Sequence, residues 1–181
     1  MTKKRKTNSV TNIKAALIDL LLEMEYSKIT IGNITQRANV SRGTFYQHFL
    51  DKDDLAYSIG TETMQRFWEI LAQGNLDKED MLLKALLLIK NDYKHFKAIS
   101  KAPHVQFKDK VQQLICDLIN SNKTIREKIK KNTKISDEIV IKAFSASFET
   151  IISFWIDNDL SESPEKVVDN IIKIEQLFWK K

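Results

Sequence analysis

The sequence has little glycine, little proline and one cysteine. Among 181 residues there are four Gly and two Pro, so few positions are typical of turns and most windows favour helix. The single cysteine, Cys116, excludes an internal disulfide framework and a cysteine-rich zinc site. The longest apolar run, residues 85–89, is far too short to span a membrane, and Asp19 and Glu23 interrupt the N-terminal apolar stretch. We therefore expect an all-α cytosolic protein without a membrane span or redox chemistry.

Positive charge is concentrated at the N-terminus. Residues 1–50 carry eight Lys and Arg against three acids, a net charge of +5 that equals the net charge of the whole chain. This asymmetry predicts an N-terminal part that binds a polyanion, joined to an electrically balanced remainder. The basic run Lys3–Lys6 has two interpretations, a solvated disordered tail or an arm that contacts nucleic acid.

The N-terminal part is predicted to contain three short helices. Apolar residues recur at three-four spacing over 9–24, which predicts the first helix. Thr30 supplies a capping hydroxyl for the second helix, which ends near Asn39, a residue that tolerates left-handed backbone. Ser41 then caps the third helix. Two short helices joined by a three-residue turn form a helix-turn-helix.

The third predicted helix has an inner and an outer face. Phe45 and Phe49, four residues apart, point inward and hold the helix from behind. The side chains predicted to stay outside are Arg42, Thr44, Tyr46, Gln47 and His48. Such a face donates hydrogen bonds to phosphate oxygens and base edges, as a recognition helix does. A glycine within a helix costs about 1 kcal/mol, so its presence at position 43 needs an explanation. Gly43 either lets the helix backbone lie close to a DNA duplex or relieves crowding against the second helix.

Longer helices are predicted for the rest of the chain. They cover 51–74, with Asp51 as the cap, then 78–98, 105–131, 136–158 and 164–179. The segment 81–96 is apolar on nearly every face, so we expect it in the middle of the C-terminal part. Two domains are expected, 1–52 with the basic arm and the helix-turn-helix, and 53–181.

The segment ITIGNITQRANVSRGTFYQHFLDKDDL at 29–55 resembles the DNA-binding signature of TetR-type transcriptional regulators. The usual form of that signature is T-hydrophobic-x-x-I-A-x-x-A-G-V-S-x-G-T-x-Y-x-H/Y-F-x-x-K-x-x-L. This chain departs from it at Asn39, where the family prefers Gly, and at Thr35, where it prefers Ala. A second likeness, FWIDNDLSESPEKVVDNI at 154–171, is to the C-terminal domain of a TetR branch frequent in low-GC Gram-positive bacteria.

The resemblance implies a fold and a set of DNA contacts. The fold is an N-terminal three-helix DNA-binding domain joined by a long fourth helix to a helical ligand-binding and dimerisation domain. The implied phosphate contacts are Thr30, Ser41 and Lys52, the implied base contacts are Arg42, Thr44 and Gln47, and the implied DNA-backbone contacts are Tyr46 and His48. Each phosphate contact adds about 0.9 to the slope of log affinity against log salt. The Lys3–Lys6 run is then favoured as an arm that reaches a minor groove or a phosphate.

The same resemblance implies that the C-terminal part pairs two subunits and binds an inducer. The candidate dimer contacts are Phe144, Phe148, Ile151, Ile152, Trp155, Ile171, Ile174 and Phe178. The candidates to line a ligand cavity, chosen because they are aromatic or singly polar, are Phe67, Trp68, Tyr93, Phe96, His104 and Phe107. For every member of both sets, packing in the core of one subunit is the alternative. His95, His104 and Cys116 have no partners at metal spacing, so we expect structural roles, no metal and no cofactor.

The expected function is that of a ligand-released repressor that binds a palindromic operator as a homodimer. Its expected partners are double-stranded DNA, a second copy of the chain and an unidentified small molecule. A coactivator-like member of the same fold, acting through a protein partner or small ligand, is the alternative, and the intact basic face favours DNA binding over it. An enzyme is not expected, because no Gly-rich phosphate loop, metal-spaced histidine pair or Ser-His-Asp set is present.

Overall fold

The computed structural model describes residues 2–71, 79–123, 126–127 and 135–179. Every regular element in these residues is a helix, which confirms the all-α prediction. The α-helices are α1 Thr2–Glu23, α2 Ile31–Arg37, α3 Arg42–Tyr46, α4 Lys52–Leu71, α5 Glu79–Asn91, α6 Tyr93–Ser100, α7 Phe107–Ser121, α8 Asp137–Asp157 and α9 Pro164–Trp179. Short 3-10 turns occupy Tyr26–Lys28 and Pro103–Val105. The predicted helix stop at Gly74 and most of the predicted helical stretch after residue 123 lie outside the described residues.

The chain forms two compact units. The first, which we call the head, comprises Met1–Thr63 and Lys94–Phe107. The second, which we call the body, comprises Met64–Tyr93 and Lys108–Lys181. The head thus includes the first half of α4 and nearly all of α6, whereas the sequence analysis placed a boundary after residue 52. That boundary stays a prediction.

Apolar side chains from the first four helices build the core of the head. Ile13 and Leu17 of α1, Ile34 of α2, Phe45 of α3 and Leu55 of α4 each have 0% of their surface exposed. Full burial of a side chain of this size contributes about 1.5–3 kcal/mol. The short helices α2 and α3 are therefore stabilised mainly by this packing, because isolated helices of their length are unstable in water.

The first helix is longer than its apolar pattern predicts. The pattern places its start near residue 9, but α1 begins at Thr2. The run Lys3–Lys6 consequently has helical backbone. Helical backbone differs from the disordered tail that was one of the two interpretations of this run, and the contact of the run with nucleic acid stays a prediction.

The turn between α2 and α3 follows the prediction. Asn39 has left-handed backbone with φ of 52°. The N–H of Val40 donates to the carbonyl of Thr35 at 3.0 Å, and the N–H of Asn39 donates to the carbonyl of Gln36 at 3.2 Å. This pair of hydrogen bonds is a Schellman motif, which ends a helix by satisfying its last carbonyls. The predicted left-handed residue at the corner is confirmed.

The predicted helix 78–98 is two helices. α5 ends at Asn91 and α6 begins at Tyr93. Asn and Asp are weak helix formers, and the carboxylate of Asp92 is held by Nη1 of Arg66 at 3.2 Å. α5 contributes buried side chains to the body, as predicted, whereas all but the first residue of α6 belongs to the head.

α8 is a core helix of the body. Its length and composition are sufficient to cross a membrane, with a mean hydropathy of 1.5 over 18 residues, and half of that window is buried inside the protein. Helices buried in the core of a globular protein share this composition. A buried hydrogen bond from Ser153 Oγ to Glu149 Oε1, at 2.5 Å, lies on the same helix.

Four of the predicted dimer contacts belong to this core, so the prediction is wrong for them. Phe144, Phe148, Trp155 and Ile171 are 5%, 3%, 3% and 1% exposed. They pack within one chain, with the Phe144 and Phe148 rings 5.0 Å apart, and have almost no surface left for a second subunit. Ile151, Ile152 and Ile174 are half-buried and stay predictions, and the side chain of Phe178 lies outside the described residues.

Candidate nucleic-acid interface

Ser41 sets the start of α3. Its backbone is extended, and its Oγ accepts a hydrogen bond from the N–H of Thr44 at 3.0 Å. The hydroxyl of Thr44 lies 2.9 Å from the same oxygen. The predicted N-cap is confirmed, and it orients the five residues Arg42–Tyr46.

The two faces of α3 follow the prediction for the inward Phe45 and Phe49 and for the outward Arg42, Tyr46 and Gln47, whereas Thr44 and His48 are half-buried. Phe45 is 0% and Phe49 7% exposed, with their rings 5.8 Å apart. On the opposite side Tyr46 is 57% exposed, and Arg42 and Gln47 are also exposed. A rigid apolar support beneath an exposed polar face is the arrangement that holds hydrogen-bond donors in place for a duplex.

The surroundings of Gly43 distinguish between the two explanations for this glycine, crowding against α2 and close approach to DNA. A Cβ atom placed there would meet only Ser41 Oγ, at the ordinary contact distance of 3.6 Å. Crowding against α2 is therefore not the reason for the glycine, and that explanation is wrong. The residue is exposed and its φ is not positive, so turn geometry is not the reason either. Close approach of the backbone to a DNA duplex, the other explanation, stays a prediction.

The start of α2 lies beside the start of α3. Thr30 Oγ1 accepts from the N–H of Asn33 at 3.1 Å, and the Asn33 side chain accepts from the Thr30 N–H at 2.9 Å, which is a capping box. A Cβ placed on Gly32 would come within 3.2 Å of Nη2 of Arg42. The guanidinium of Arg42 therefore lies against the first turn of α2. The Thr30 cap was predictable from the sequence, whereas this contact was not, because it joins two helices.

His48 only partly matches its predicted role. The side chain is half-buried, and its Nε2 is buried without a hydrogen-bond partner. That nitrogen faces the protein and not a DNA backbone. The prediction that His48 contacts DNA is thus wrong for Nε2.

Lys52 is half-buried and bonds to the backbone of the head. Its ammonium donates to the carbonyl of Tyr26 at 2.8 Å and to the carbonyl of Ile29 at 2.9 Å. It also lies 4.1 Å from the centre of the Tyr26 ring, a cation–π contact. The phosphate contact that the resemblance implies for Lys52 stays a prediction, and this arrangement gives the ammonium partners within its own chain.

Three further side chains join Lys52 in what we call the Tyr26 cluster: Tyr26, Asp53 and His104. Tyr26 Oη donates to Asp53 Oδ1 at 2.5 Å, and His104 Nε2 lies 3.5 Å from Asp53 Oδ2. Burial, and next the hydrogen bond to Asp53, raise the pKa of Tyr26 well above its ordinary value. The cluster lines a cavity of about 1080 Å³ in the head. Sequence reasoning missed it, because its members come from three separate segments.

Several predicted ligand-binding residues lie elsewhere. Phe96 and Phe107 pack on each other in the head, with ring centres 6.3 Å apart, and are 0% and 4% exposed. His104 belongs to the Tyr26 cluster. Core packing thus accounts for Phe96 and Phe107, His104 lines the cavity of the head, and a ligand at any of the three stays a prediction.

The remaining candidates belong to the body. Phe67 is 5% exposed, so core packing accounts for it, and the hydroxyl of Tyr93 donates to Asp159. Trp68 is half-buried, and its role in a cavity stays a prediction. A cavity of about 350 Å³ in the body is lined by other residues: Gln113, Cys116, Asn120, Arg126, Asp137, Glu138, Ile141 and Lys142.

Comparison with known proteins agrees with this geometry. The chain is 28% identical over 131 residues to the Fatty acid metabolism regulator protein of Bacillus subtilis. The aligned residues cover 72% of this chain and 63% of that protein. The chain thus spans less than two thirds of the length of this relative.

Two solved structures have the same fold. A TetR transcriptional regulator from Streptococcus agalactiae superposes with a TM-score of 0.69 at 20% identity, over 94% of this chain and 95% of that one. The fatty acid degradation regulator FadR from Bacillus halodurans superposes with a TM-score of 0.67 at 17% identity, over 94% of each chain.

Family comparison covers both parts of the chain. Residues 13–59 match the family described as "Bacterial regulatory proteins, tetR family", and residues 77–176 match the one described as "Transcriptional regulator C-terminal region". The first match includes the capped helices α2 and α3, and the second covers more than half of the chain. This protein is therefore a DNA-binding transcriptional regulator of the TetR family.

Proposed function

We propose that this regulator represses transcription by binding a palindromic operator as a homodimer, and that a small molecule releases it. Each subunit would place one α3 in the major groove of one half-site. Acting on DNA, the protein would work in the cytoplasm. Release would require the small molecule to bind the DNA-free state more tightly than the DNA-bound state.

The observation that carries the proposal is the two-sided construction of α3. Phe45, fully buried, anchors the helix, while the neighbouring Tyr46 is 57% exposed. Arg42 and Gln47 extend the exposed polar face, and Gly43 leaves open space beside it. Arg and Gln are side chains that read base edges in the major groove.

The homodimer is supported by an exposed stripe on α8. Its members follow helical spacing and are exposed: Ile139, Ala143, Thr150 and Phe154. Ile139 is 60% and Phe154 68% exposed, so this face of α8 offers apolar surface that a second copy of the chain would cover. The same surface on a second copy makes a self-complementary interface with twofold symmetry. This stripe replaces the buried residues that the sequence analysis had assigned to the interface.

A gel-shift titration tests DNA binding directly. Fragments retained by the wild-type protein would first be selected from genomic DNA. We expect Arg42→Ala and Tyr46→Ala each to weaken binding to a selected duplex by about 1–3 kcal/mol while thermal unfolding stays near wild type. The matched controls are Lys84→Ala, an exposed cation of the body, and Tyr57→Ala, a tyrosine of α4 that is 52% exposed.

Unchanged affinity in both α3 variants would refute the proposed interface. Equal losses in the Lys84 and Tyr57 controls would also count against it, because general loss of charge or surface would then explain the effect. The coactivator-like alternative has no observation in its favour among the described residues.

A further inference from the structure

Gly32 lies in the first turn of α2, two residues after the N-cap Thr30. Its φ is not positive, so a left-handed turn does not require a glycine at this position. Alanine is a better helix former than glycine. The reason for the glycine must therefore lie in the side chains that surround it.

The guanidinium of Arg42 occupies the space that a side chain at position 32 would enter. A Cβ atom on Gly32 would lie 3.2 Å from Nη2 of Arg42, which is tighter than an ordinary contact, and 3.5 Å from Oγ1 of Thr30, which is an ordinary one. Nη2 is the far end of a flexible side chain, so a methyl group at position 32 would displace the guanidinium and leave both helices in place. We call the surface of Gly32 beside this guanidinium the Arg42 seat.

The charge of Arg42 has no carboxylate partner among the described residues. Arg37 forms an ion pair with Glu23, and Arg66 forms one with Asp92. The side chain of Arg42 is exposed and makes no hydrogen bond or ion pair within the part of the chain that the structure describes. The five N–H donors of its guanidinium are thus available for acceptors outside the chain.

The Arg42 seat places a positive charge where helices disfavour it. Arg42 is the first residue of α3, and its guanidinium lies beside the first turn of α2. Cations are unfavourable at the N-terminus of a helix, because the backbone N–H groups there carry partial positive charge. A glycine inside a helix is a second unfavourable choice at the same place. Local choices that weaken the fold without a compensating contact are typical of functional sites.

A seated guanidinium is prepared for base recognition. The first turn of α2 blocks part of the space through which the Arg42 side chain would otherwise rotate, so less rotamer freedom is lost when DNA binds. Arginine donates two parallel hydrogen bonds to O6 and N7 of guanine in the major groove. Such a pair of bonds depends on the orientation of the guanidinium, which the surface of Gly32 restricts.

We propose that Gly32 is a positioning residue that sets base specificity: its missing side chain seats the guanidinium of Arg42 in the orientation that reads a guanine in each half-site. This inference rests on the proposed binding of a palindromic operator. The effect of Gly32 on DNA recognition passes through Arg42.

A double-mutant cycle tests whether Gly32 acts through Arg42. Gel-shift titrations at low salt use a duplex selected from genomic DNA by the wild-type protein, with Gly32→Ala, Arg42→Ala and the double variant. We expect Gly32→Ala to weaken binding roughly tenfold when residue 42 is Arg. The same change should alter binding by less than about twofold when residue 42 is Ala.

Gln36→Ala is the matched control for the cycle. Gln36 is an exposed residue one turn further along α2, so its substitution should have the same effect with either residue at position 42. Urea unfolding should show Gly32→Ala to be at least as stable as wild type. Wild-type affinity of Gly32→Ala would overturn the proposal. A loss of affinity that persists with Ala at position 42 would also overturn it, because Gly32 would then act by another route.

Base analogues test the orientation of the guanidinium. Each guanine of a half-site is replaced in turn by 7-deazaguanine, which lacks the N7 acceptor. We expect one position at which wild type loses roughly tenfold in affinity, Arg42→Ala loses nothing, and Gly32→Ala loses clearly less than wild type. Equal losses for wild type and Gly32→Ala at that position would overturn the proposal, and so would the absence of any guanine whose effect depends on Arg42.

A third measurement needs no DNA. The Nε–H signal of Arg42 in the free protein, assigned by its loss in Arg42→Ala, reports through nitrogen-15 relaxation how freely the side chain moves. We expect restricted motion in wild type and greater motion in Gly32→Ala. Unrestricted motion in wild type would overturn the proposal. If the wild-type protein retained no duplex at low salt, the proposed function would be refuted instead, and the relaxation data would still decide whether Gly32 seats Arg42.

Discussion

The guanidinium of Arg37 holds the carboxylate of Glu23 through two parallel hydrogen bonds, Nη1 to Oε1 at 2.8 Å and Nη2 to Oε2 at 2.6 Å. The pair ties the last residue of α1 to the last residue of α2. The hydrogen bond from Arg37 lowers the pKa of Glu23 below its ordinary value of 4.5. Fork-to-fork geometry of this kind is the strongest form of a surface ion pair.

The lowered pKa of Glu23 determines how the stability of the protein changes with pH in acid. The folded protein releases the Glu23 proton more readily than the unfolded chain, so the contribution of the pair is present above pH 4.5 and lost as pH falls below it. We expect wild type to be more stable than Glu23→Gln at neutral pH, with the difference vanishing in stronger acid. Thermal melts of both proteins across this pH range measure it. A difference that persists unchanged in strong acid would contradict the assignment.

Gly43 should affect stability and DNA binding in opposite directions. The space around its Cα accepts a methyl group, and Ala is a better helix former than Gly by about 1 kcal/mol. Gly43→Ala should therefore stabilise the free protein by up to about 1 kcal/mol and weaken binding to a selected duplex. Urea unfolding and gel shift measure the two effects.

Gly32→Ala is the comparison for this prediction. It makes the same change on α2, but its new methyl would press on Arg42 Nη2 at 3.2 Å. We expect weaker DNA binding there as well, through displacement of the guanidinium. If Gly43→Ala binds DNA as wild type does, the backbone of α3 does not approach the duplex closely.

Much of the head was predictable from local signals. The caps at Thr30 and Ser41, the left-handed turn at Asn39 and the inward pair Phe45 and Phe49 are each set by residues within a few positions of one another. Local hydrogen bonds and helical periodicity decide such features, and both are present in a short stretch of sequence.

The sequence could not predict which distant residues each side chain contacts in the fold. A stripe containing Phe148 and Trp155 fits a subunit interface and a core equally well, and burial in the body decides for the core. Lys52 next to a helix start fits a phosphate contact, and its hydrogen bonds to the carbonyls of Tyr26 and Ile29 could not be predicted, because those residues lie more than twenty positions away in the chain. Periodicity reports that a face is apolar and does not report what covers it.

Asn39 offers a test of backbone strain. Its φ of 52° is left-handed, where a residue with a Cβ costs roughly 1–2 kcal/mol unless it is Gly or, in part, Asn. Asn39→Ala should lower the free energy of unfolding by about 1 kcal/mol, whereas Asn39→Gly should leave it equal or slightly higher. Chemical unfolding of the three proteins measures this order. Equal stability of the Ala and Gly variants would show that the turn relaxes.

The exposed stripe on α8 predicts which substitution separates the subunits. Phe154 is 68% exposed, so Phe154→Glu should keep the fold and yield a monomer by light scattering at micromolar concentration. Phe148 is 3% exposed, and Phe148→Ala should instead lower stability by about 3–5 kcal/mol. A wild-type protein that is already monomeric at this concentration would refute the dimer. A Phe154→Glu protein that stays dimeric would place the interface elsewhere.

The raised pKa of Tyr26 predicts that the protein loses stability in alkali. Burial and the hydrogen bond to Asp53 raise its pKa in the folded protein above the ordinary value of 10.0. The unfolded chain therefore releases this proton first as pH rises, and the contribution of the hydroxyl is full below pH 10 and lost above it. Tyr26→Phe should be less stable than wild type at neutral pH, and the gap between the two proteins should shrink as pH rises past that value. Urea unfolding at a series of pH values gives the gap, and the other tyrosines cancel because both proteins contain them. A gap that widens in alkali would mean that the hydroxyl is ionised in the folded state and that its hydrogen bond to Asp53 is absent.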